Sequence, residues 1–148
     1  MSVRQDRKHR KQGGGSVKAV LSRVKQLGSF NELKPGEYAV PDGFADKVAR
    51  NEKKMKTTQL RKFFSKIKNL ERELKGRGNR EVLDDGFKSR MYLLLPELAY
   101  SKGRQLINED FFDLITIIVK DKLKTVGDFK NFANFMTAIV AYKKAHGD

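Results

Sequence analysis

The carboxylates of this chain come closest, by type and spacing, to a catalytic or metal-binding pattern. They form two clusters, one of Asp84 and Asp85 and one of Glu109, Asp110 and Asp113. Carboxylates in such groups can perform general acid–base catalysis or bind a divalent cation. Each cluster, however, opens a predicted helix, where carboxylates cap free N–H groups and oppose the positive end of the helix dipole. We interpret both clusters as structural, and predict neither a catalytic residue nor a metal site.

The composition removes most other catalytic groups. The 148 residues include no Cys and only two His, which excludes disulfides, thiolate zinc sites and Cys nucleophiles and nearly excludes multi-His metal sites. The run GGGSVK at residues 13–18 superficially resembles a phosphate loop, but it lacks both the required spacing and a preceding strand. The sequence therefore predicts a protein that is not an enzyme and has no cofactor.

The cations are more informative than the carboxylates. Lys and Arg number 32 against 18 Asp and Glu, which gives a formal net charge of +14 and suggests a polyanionic partner, most often nucleic acid. Between Lys47 and Arg80 there are 13 basic residues and three Glu, so this segment alone carries +10. Cations spaced along one face are what contact with a phosphate backbone requires, without any reading of base sequence.

The element that must position these cations is a predicted helix that starts at Thr57 and ends before Gly76. Its apolar residues recur at three- and four-residue steps and define one side. They are Leu60, Phe63, Phe64, Ile67, Leu70 and Leu74. The cations Arg61, Lys68, Arg72 and Lys75 share one flank of the helix, and Lys62 and Lys66 share the other. Lys53, Lys54 and Lys56 precede its N-terminus, where the free amides also favour anions.

Helical periodicity dominates the rest of the chain, and no stretch alternates with the period of two that a strand requires. Predicted helix starts lie at Ser16, Asp42, Asp84, Asn108 and Asp128. Pro96 is expected to kink the helix over 84–103, whose buried face includes Ala99. The fold predicted is an all-α, compact bundle of five to six helices. Residues 1–15 are expected to form a flexible basic arm, and residues 16–148 a single helical domain with its core at 42–148.

Three further expectations concern partners and location. Apolar runs are too short to span a membrane and no secretory signal opens the chain, so we expect a cytoplasmic protein without membrane contact. The predicted fifth helix is apolar on more than one side, which makes it central or a site of homodimer formation. Most aromatic residues recur at the spacing of a buried helix face; the exceptions are Phe30, Tyr38, Tyr92 and Tyr100. Base recognition by stacking, of the kind used by sheet-based RNA modules, is therefore not predicted.

Three segments resemble a known protein family. They are TTQLRKFF at residues 57–64, LLPELAY at 94–100 followed by Gly103 and Arg104, and FKNFANFMTAIVAYKKAHG at 129–147. In this order and spacing they are similar to the small subunit of type III-A (Csm) CRISPR effector complexes, over roughly residues 42–148. The basic N-terminal arm and Lys143-Lys144 depart from the family pattern.

The resemblance implies a non-catalytic helical subunit that stacks in several copies along the guide RNA. Its partners would be the guide and target RNA backbones, the backbone and large subunits of the complex, and copies of itself, while other subunits cleave the target. By the family motifs, Arg61 and Arg104 are the first RNA-binding candidates. Charge geometry adds Lys53, Lys54, Lys56, Lys62, Lys68 and Arg72.

Three other functions are compatible with the same residues. The first is the small subunit of the related Cmr-type complex, which shares the helical core and the filament role. The second is a free-standing helical DNA-binding protein that places a recognition helix in the major groove. The third is an assembly adaptor whose basic charge serves solubility alone.

Overall fold

The computed structural model describes residues 12–147, with side chains from residue 17 onward. This part of the chain contains eight α-helices and no strand. In chain order they are α1 (Gln12–Gln26), α2 (Pro35–Tyr38), α3 (Phe44–Asn51), α4 (Thr57–Arg72), α5 (Asp85–Tyr92), α6 (Leu94–Gly103), α7 (Glu109–Ile117) and α8 (Val126–Ala145). A 3₁₀ turn follows α1 at Phe30–Glu32, and a π-helical turn follows α7 at Ile118–Lys122. The predicted all-α bundle is confirmed, with α2 as an additional single turn and α5 and α6 in place of one kinked helix.

Helix α8 lies at the centre of the bundle and packs against α3 and α4, while α1 packs against α3 and α7. Phe129, Phe132 and Phe135 of α8 are fully buried, and the Phe30 ring meets that of Phe132 edge-on at 6.1 Å between centroids. Such an aromatic pair adds about 0.5–1.5 kcal/mol to the effect of burying the rings. Every helix contributes to the same hydrophobic cluster, so the described residues share one core.

The start of α8 corrects one predicted cap. Thr125, rather than Asp128, is the N-cap, and its hydroxyl accepts a hydrogen bond from the Asp128 N–H. Asp128 lies at the third helical position, where its buried carboxylate accepts from the N–H groups of Thr125 at 3.0 Å, Lys124 at 2.9 Å and Asn31 at 2.8 Å. In this capping box the Asp128 carboxylate accepts hydrogen bonds from backbone amides of segments that precede the helix, and none from amides within α8.

Helix α1 begins four residues before the predicted start at Ser16. Residues 13–15 are therefore helical and do not belong to a flexible arm, and residues 1–11 of the predicted arm lie outside the described residues. Extending a helix that already exists adds one hydrogen bond per residue, which is easier than nucleating a new one. The glycines reduce this gain without preventing it.

Helix α3 has Gly43 as its N-cap, so the predicted cap at Asp42 was wrong. Asp42 adopts a positive φ of 67° and donates its N–H to the Asp46 carboxylate at 2.8 Å. Asp tolerates this left-handed conformation better than most residues, because its short polar side chain can bond locally. Here the Asp42 carboxylate instead pairs with Arg50 at 2.9 Å.

An interruption near Pro96 is found as predicted, but it divides the predicted helix in two where a kink was expected. α5 ends at Tyr92 and α6 starts at Leu94, because Pro96 has no N–H to donate to the Tyr92 carbonyl and its ring clashes there. Leu94 and Leu98 are buried, but Ala99 is exposed, contrary to the prediction. Ala99 lies after the break, so its position on the buried face of one continuous helix could not be assumed.

Helix α7 and the π-helical turn are covered within the chain. Leu114, Ile115, Ile118 and Val119 expose no surface. The prediction that this element is central is confirmed, and its apolar sides no longer argue for a homodimer. The predicted starts at Thr57 for α4, with Asp84 and Asn108 as N-caps of α5 and α7, are also confirmed.

Candidate nucleic-acid interface

Helix α4 is amphipathic in the way its sequence predicts. Leu60, Phe63, Ile67 and Leu70 are buried on the side that packs against α8. Leu74 is buried just beyond the helix, whereas Phe64 is only half-buried. Since one side of the helix is fixed in the core, its cations must point away from α8 toward solvent.

The outer face of α4 presents these cations unequally. Arg61 and Lys62 are exposed, with no hydrogen-bonding or ionic partner among the described residues. Arg72 is exposed and donates to the Asn69 side chain, and Lys68 forms an ion pair with Glu71 at 2.6 Å. The predicted stripe therefore exists, but Glu71 partly neutralises it at Lys68.

The loop between α3 and α4 adds Lys53, Lys54 and Lys56, all of them exposed. Lys56 is the N-cap of α4 and makes no side-chain cap hydrogen bond. The first amides of a helix carry partial positive charge, which adds to that of the three ammonium groups. We define the basic face as this loop and the outer face of α4, with the residues Lys53, Lys54, Lys56, Arg61, Lys62, Lys68 and Arg72.

A buried carboxylate holds this loop in place. Glu52 accepts hydrogen bonds from the N–H groups of Met55 and Asn108, both at 3.0 Å, and of Lys54 at 3.2 Å. The ammonium of buried Lys143 donates to the Glu52 backbone carbonyl. Burial raises the pKa of the Glu52 carboxyl, against these N–H bonds and the nearby Lys143 charge.

Glu52 is not among the residues that the sequence predicts for this site. Its only signal is that it is the one acidic residue between Lys47 and Lys68. Through Glu52, the end of α3 is joined to the start of α7. The backbone amide of Asn108, far away in sequence, therefore helps to fix the position of Lys53 and Lys54.

A groove separates α4 from α6, and its volume is about 520 Å³. Gln59 and Lys62 of α4 line it together with Ser101 of α6, so the first half of α4 lies beside the last turns of α6. Lys66 and Glu97 form an ion pair across the groove. The buried Oε1 of Gln59 receives no hydrogen bond from any described residue. The two helices are thus antiparallel, with one unused acceptor between them.

The predicted residue Arg104 lies just beyond the end of α6 that borders the groove. Arg104 follows the last residue of α6, three positions after Ser101. It is exposed, and its guanidinium carbon lies 5.8 Å from the centroid of the Tyr100 ring. The C-terminal end of α6 therefore carries an exposed cation and an exposed aromatic ring close in sequence to Ser101, which lines the groove with Lys62.

Two of the four aromatic residues that the sequence places outside the buried helix faces are part of the core. Phe30 and Tyr38 are buried, and the Tyr38 hydroxyl donates to Asn131 at 2.6 Å. Tyr92 and Tyr100 are exposed over 43% and 66% of their surfaces. Phe30 and Tyr38 were mispredicted because the 3₁₀ turn and α2, which carry them, have too few residues to show a period.

The carboxylate clusters lie at the starts of helices, as the sequence predicts. Asp84 accepts a hydrogen bond from the Phe87 N–H at 2.8 Å, and Glu109 and Asp110 lie in the first turn of α7. Within residues 12–147, no three His, Asp or Glu side chains are grouped closely enough to hold a metal ion. No helix in that range is both long and apolar enough to cross a membrane.

The sequence model of one protein family, Csm2 Type III-A, matches residues 38–148. The chain belongs to this family. No curated protein and no solved structure matches the chain. The match spans α3 to α8 and includes the whole basic face and Arg104. Family membership makes the chain a small subunit of the type III-A Csm complex, in agreement with the resemblance and in preference to the Cmr-type alternative.

Proposed function

We propose that this Csm2 family member binds RNA without catalysing a reaction. In this proposal several copies stack along the guide–target duplex beside the other subunits of the complex. The basic face and Arg104 contact phosphates of either strand, and no base sequence is read. Backbone contacts of this kind position a protein on nucleic acid but carry no sequence information.

One observation carries the proposal: the exposed cations of the basic face lie on one rigid element and its approach. The 16 residues of α4 extend about 24 Å, long enough to follow several phosphates. The buried apolar side of the helix prevents rotation, and Glu52 fixes the loop. The cations are therefore positioned before RNA arrives, which lowers the entropy lost on binding.

The test is a charge-reversal variant with Arg61→Glu, Lys62→Glu and Arg72→Glu. These positions are exposed and none forms an ion pair with a carboxylate among the described residues, whereas Lys68 is already paired with Glu71. We expect affinity for an RNA duplex of arbitrary sequence to fall by at least about a hundredfold, because three phosphate contacts become repulsive. Fluorescence anisotropy measures the affinity, and circular dichroism should show unchanged helicity.

A matched control carries the same change of charge elsewhere. Lys18→Glu, Lys25→Glu and Lys120→Glu alter exposed positions on α1 and the π-helical turn, which do not line the groove. This variant should lose far less affinity, through net charge alone. Equal losses in the two variants would show that RNA responds to total charge and would contradict the proposed interface.

A further inference from the structure

Tyr100 is the most exposed aromatic side chain in the described part of the chain. Its ring does not pack on the core, yet the guanidinium of Arg104 lies against it at 5.8 Å. This cation–π contact, in the last turn of α6, restricts the ring in a defined position. An exposed ring held in this way can present a flat apolar surface to a ligand.

Tyr100 directly precedes Ser101, which lines the groove between α4 and α6. Glu97 also lines this groove, and Tyr100 follows it by three residues, about one turn further along the same helix. Ser101, the next residue, lines the half of the groove that also contains Lys62 and Gln59. Tyr100 thus stands at the end of the groove nearest the basic face.

The chemistry of this end favours a nucleotide over a peptide. Lys62 and Arg104 supply cations with no carboxylate partner among the described residues, and thus a site for a phosphate. The Gln59 Oε1 needs a donor, which a ribose hydroxyl or a base amino group would provide. Most of the Tyr100 ring remains exposed beside Arg104, and a nucleobase is a planar group that stacks on such a ring.

From this juxtaposition we propose that Tyr100, backed by Arg104, is a stacking site for one unpaired nucleobase of RNA whose backbone lies on the basic face. The inference rests on the proposed function and deepens it. In a paired duplex every base is already stacked on its neighbours, so only an unpaired nucleotide can reach the ring. Stacking tolerates any base, so the site selects for the unpaired state and not for a sequence.

The experiment compares two RNAs, a fully paired duplex and the same duplex with one unpaired nucleotide at its centre. Tyr100→Ala should reduce affinity for the second RNA by about tenfold, within the range found when a stacking aromatic is replaced by alanine. Affinity for the paired duplex should be unchanged. Tyr100→Phe keeps the ring and should behave as the unmodified chain. Tyr92→Ala is the matched control, since Tyr92 is also exposed but makes no cation–π contact among the described residues.

A spectroscopic readout separates stacking from a structural effect. With 2-aminopurine at the unpaired position, the unmodified chain should quench its fluorescence and Tyr100→Ala should not. The charge-reversal variant should weaken binding of both RNAs, so its failure to do so would reject the basic face, whatever Tyr100 does. Equal losses on both RNAs in Tyr100→Ala, or no loss on either, would overturn the stacking site.

One further outcome identifies a different occupant. If Tyr100→Ala leaves binding of both RNAs intact but abolishes self-association or co-purification with other subunits, Tyr100 belongs to a protein interface. That result also overturns the stacking site.

Discussion

At the scale of single residues, buried carboxylates hold together segments that are far apart in the chain. Asp46 is 5% exposed and contacts the His146 ring nitrogen Nε2 at 2.6 Å, so α3 is tied to the C-terminal end of α8. The sequence does not indicate that Asp46 and Glu52 join distant segments, because His146 lies 100 residues from Asp46 and Asn108 lies 56 residues from Glu52. It does indicate Asp84, whose partner Phe87 is three residues away on the same helix.

The charge of Asp46 makes this tie dependent on pH. Burial disfavours the charged form, but the Asp42 N–H, His146 and Arg50 outweigh burial and hold the pKa of the Asp46 carboxyl below its ordinary value. A carboxyl with a lowered pKa in the folded state stabilises the protein above its unfolded-state pKa. That contribution is lost as the pH falls through the folded-state value.

We therefore expect Asp46→Asn to lower the free energy of unfolding by about 1 kcal/mol at neutral pH. The difference should begin to shrink as the pH falls below about 4, the ordinary pKa of an unfolded Asp, and should be lost once the pH has fallen through the lower pKa of the folded state. Urea unfolding at several pH values measures it. Asp42→Asn is the control: Asp42 is exposed, so its surface ion pair with Arg50 should contribute about 0.5 kcal/mol or less. A difference for Asp46→Asn that is independent of pH would contradict the assignment to its charge.

At the scale of elements, the basic turn after α4 is fixed against the start of α8. The Gly127 N–H donates to the Asn79 carbonyl at 2.9 Å and the Val126 N–H to the Glu81 carbonyl at 2.8 Å. A Cβ at Gly127 would lie 3.0 Å from the Asn79 carbonyl oxygen. The absence of a side chain at Gly127 therefore lets the two segments approach.

Gly127→Ala should accordingly separate the turn from α8 and cost about 2 kcal/mol of stability, as overpacking does. Gly78→Ala, in the same turn, meets no atom within 4 Å and should be nearly neutral. Thermal unfolding of both variants compares them directly. Equal melting temperatures would show that the turn can shift freely and would contradict this account of the contact.

Sequence periodicity predicts long elements well and short ones poorly. The apolar side of α4 follows from five residues at regular steps, because helical geometry repeats within the element itself. The burial of Phe30 and Tyr38 depends instead on packing between elements, which no local pattern contains.

At the scale of the whole molecule, charge is distributed unevenly: the segment from Lys47 to Arg80 carries +10 of the net +14. Part of it is neutralised in the folded state, since Lys66 pairs with Glu97 and Arg77 with Glu81. On the basic face, every cation except Lys68 lacks a carboxylate partner among the described residues. A polyanion approaching this face therefore meets six cations that no carboxylate neutralises.

Binding of RNA should consequently depend steeply on salt. With about five phosphates contacted, affinity should fall by about 100- to 1,000-fold between about 50 and 200 mM salt, because bound counterions are released. The charge-reversal variant should show a shallower slope. Anisotropy titrations at several salt concentrations measure both slopes, and a flat dependence for the unmodified chain would rule out an electrostatic interface.

The sequence by itself determined the helical class, the amphipathic character of α4 and the site of greatest charge. All three depend on residue type and local spacing, which folding does not alter. Only the tertiary structure decided which cations are paired, how Glu52 fixes the lysine loop, and that the C-terminal end of α6 lies across the groove from Lys62. These are relations between distant segments, and they exist only once the apolar sides of the helices pack into one core.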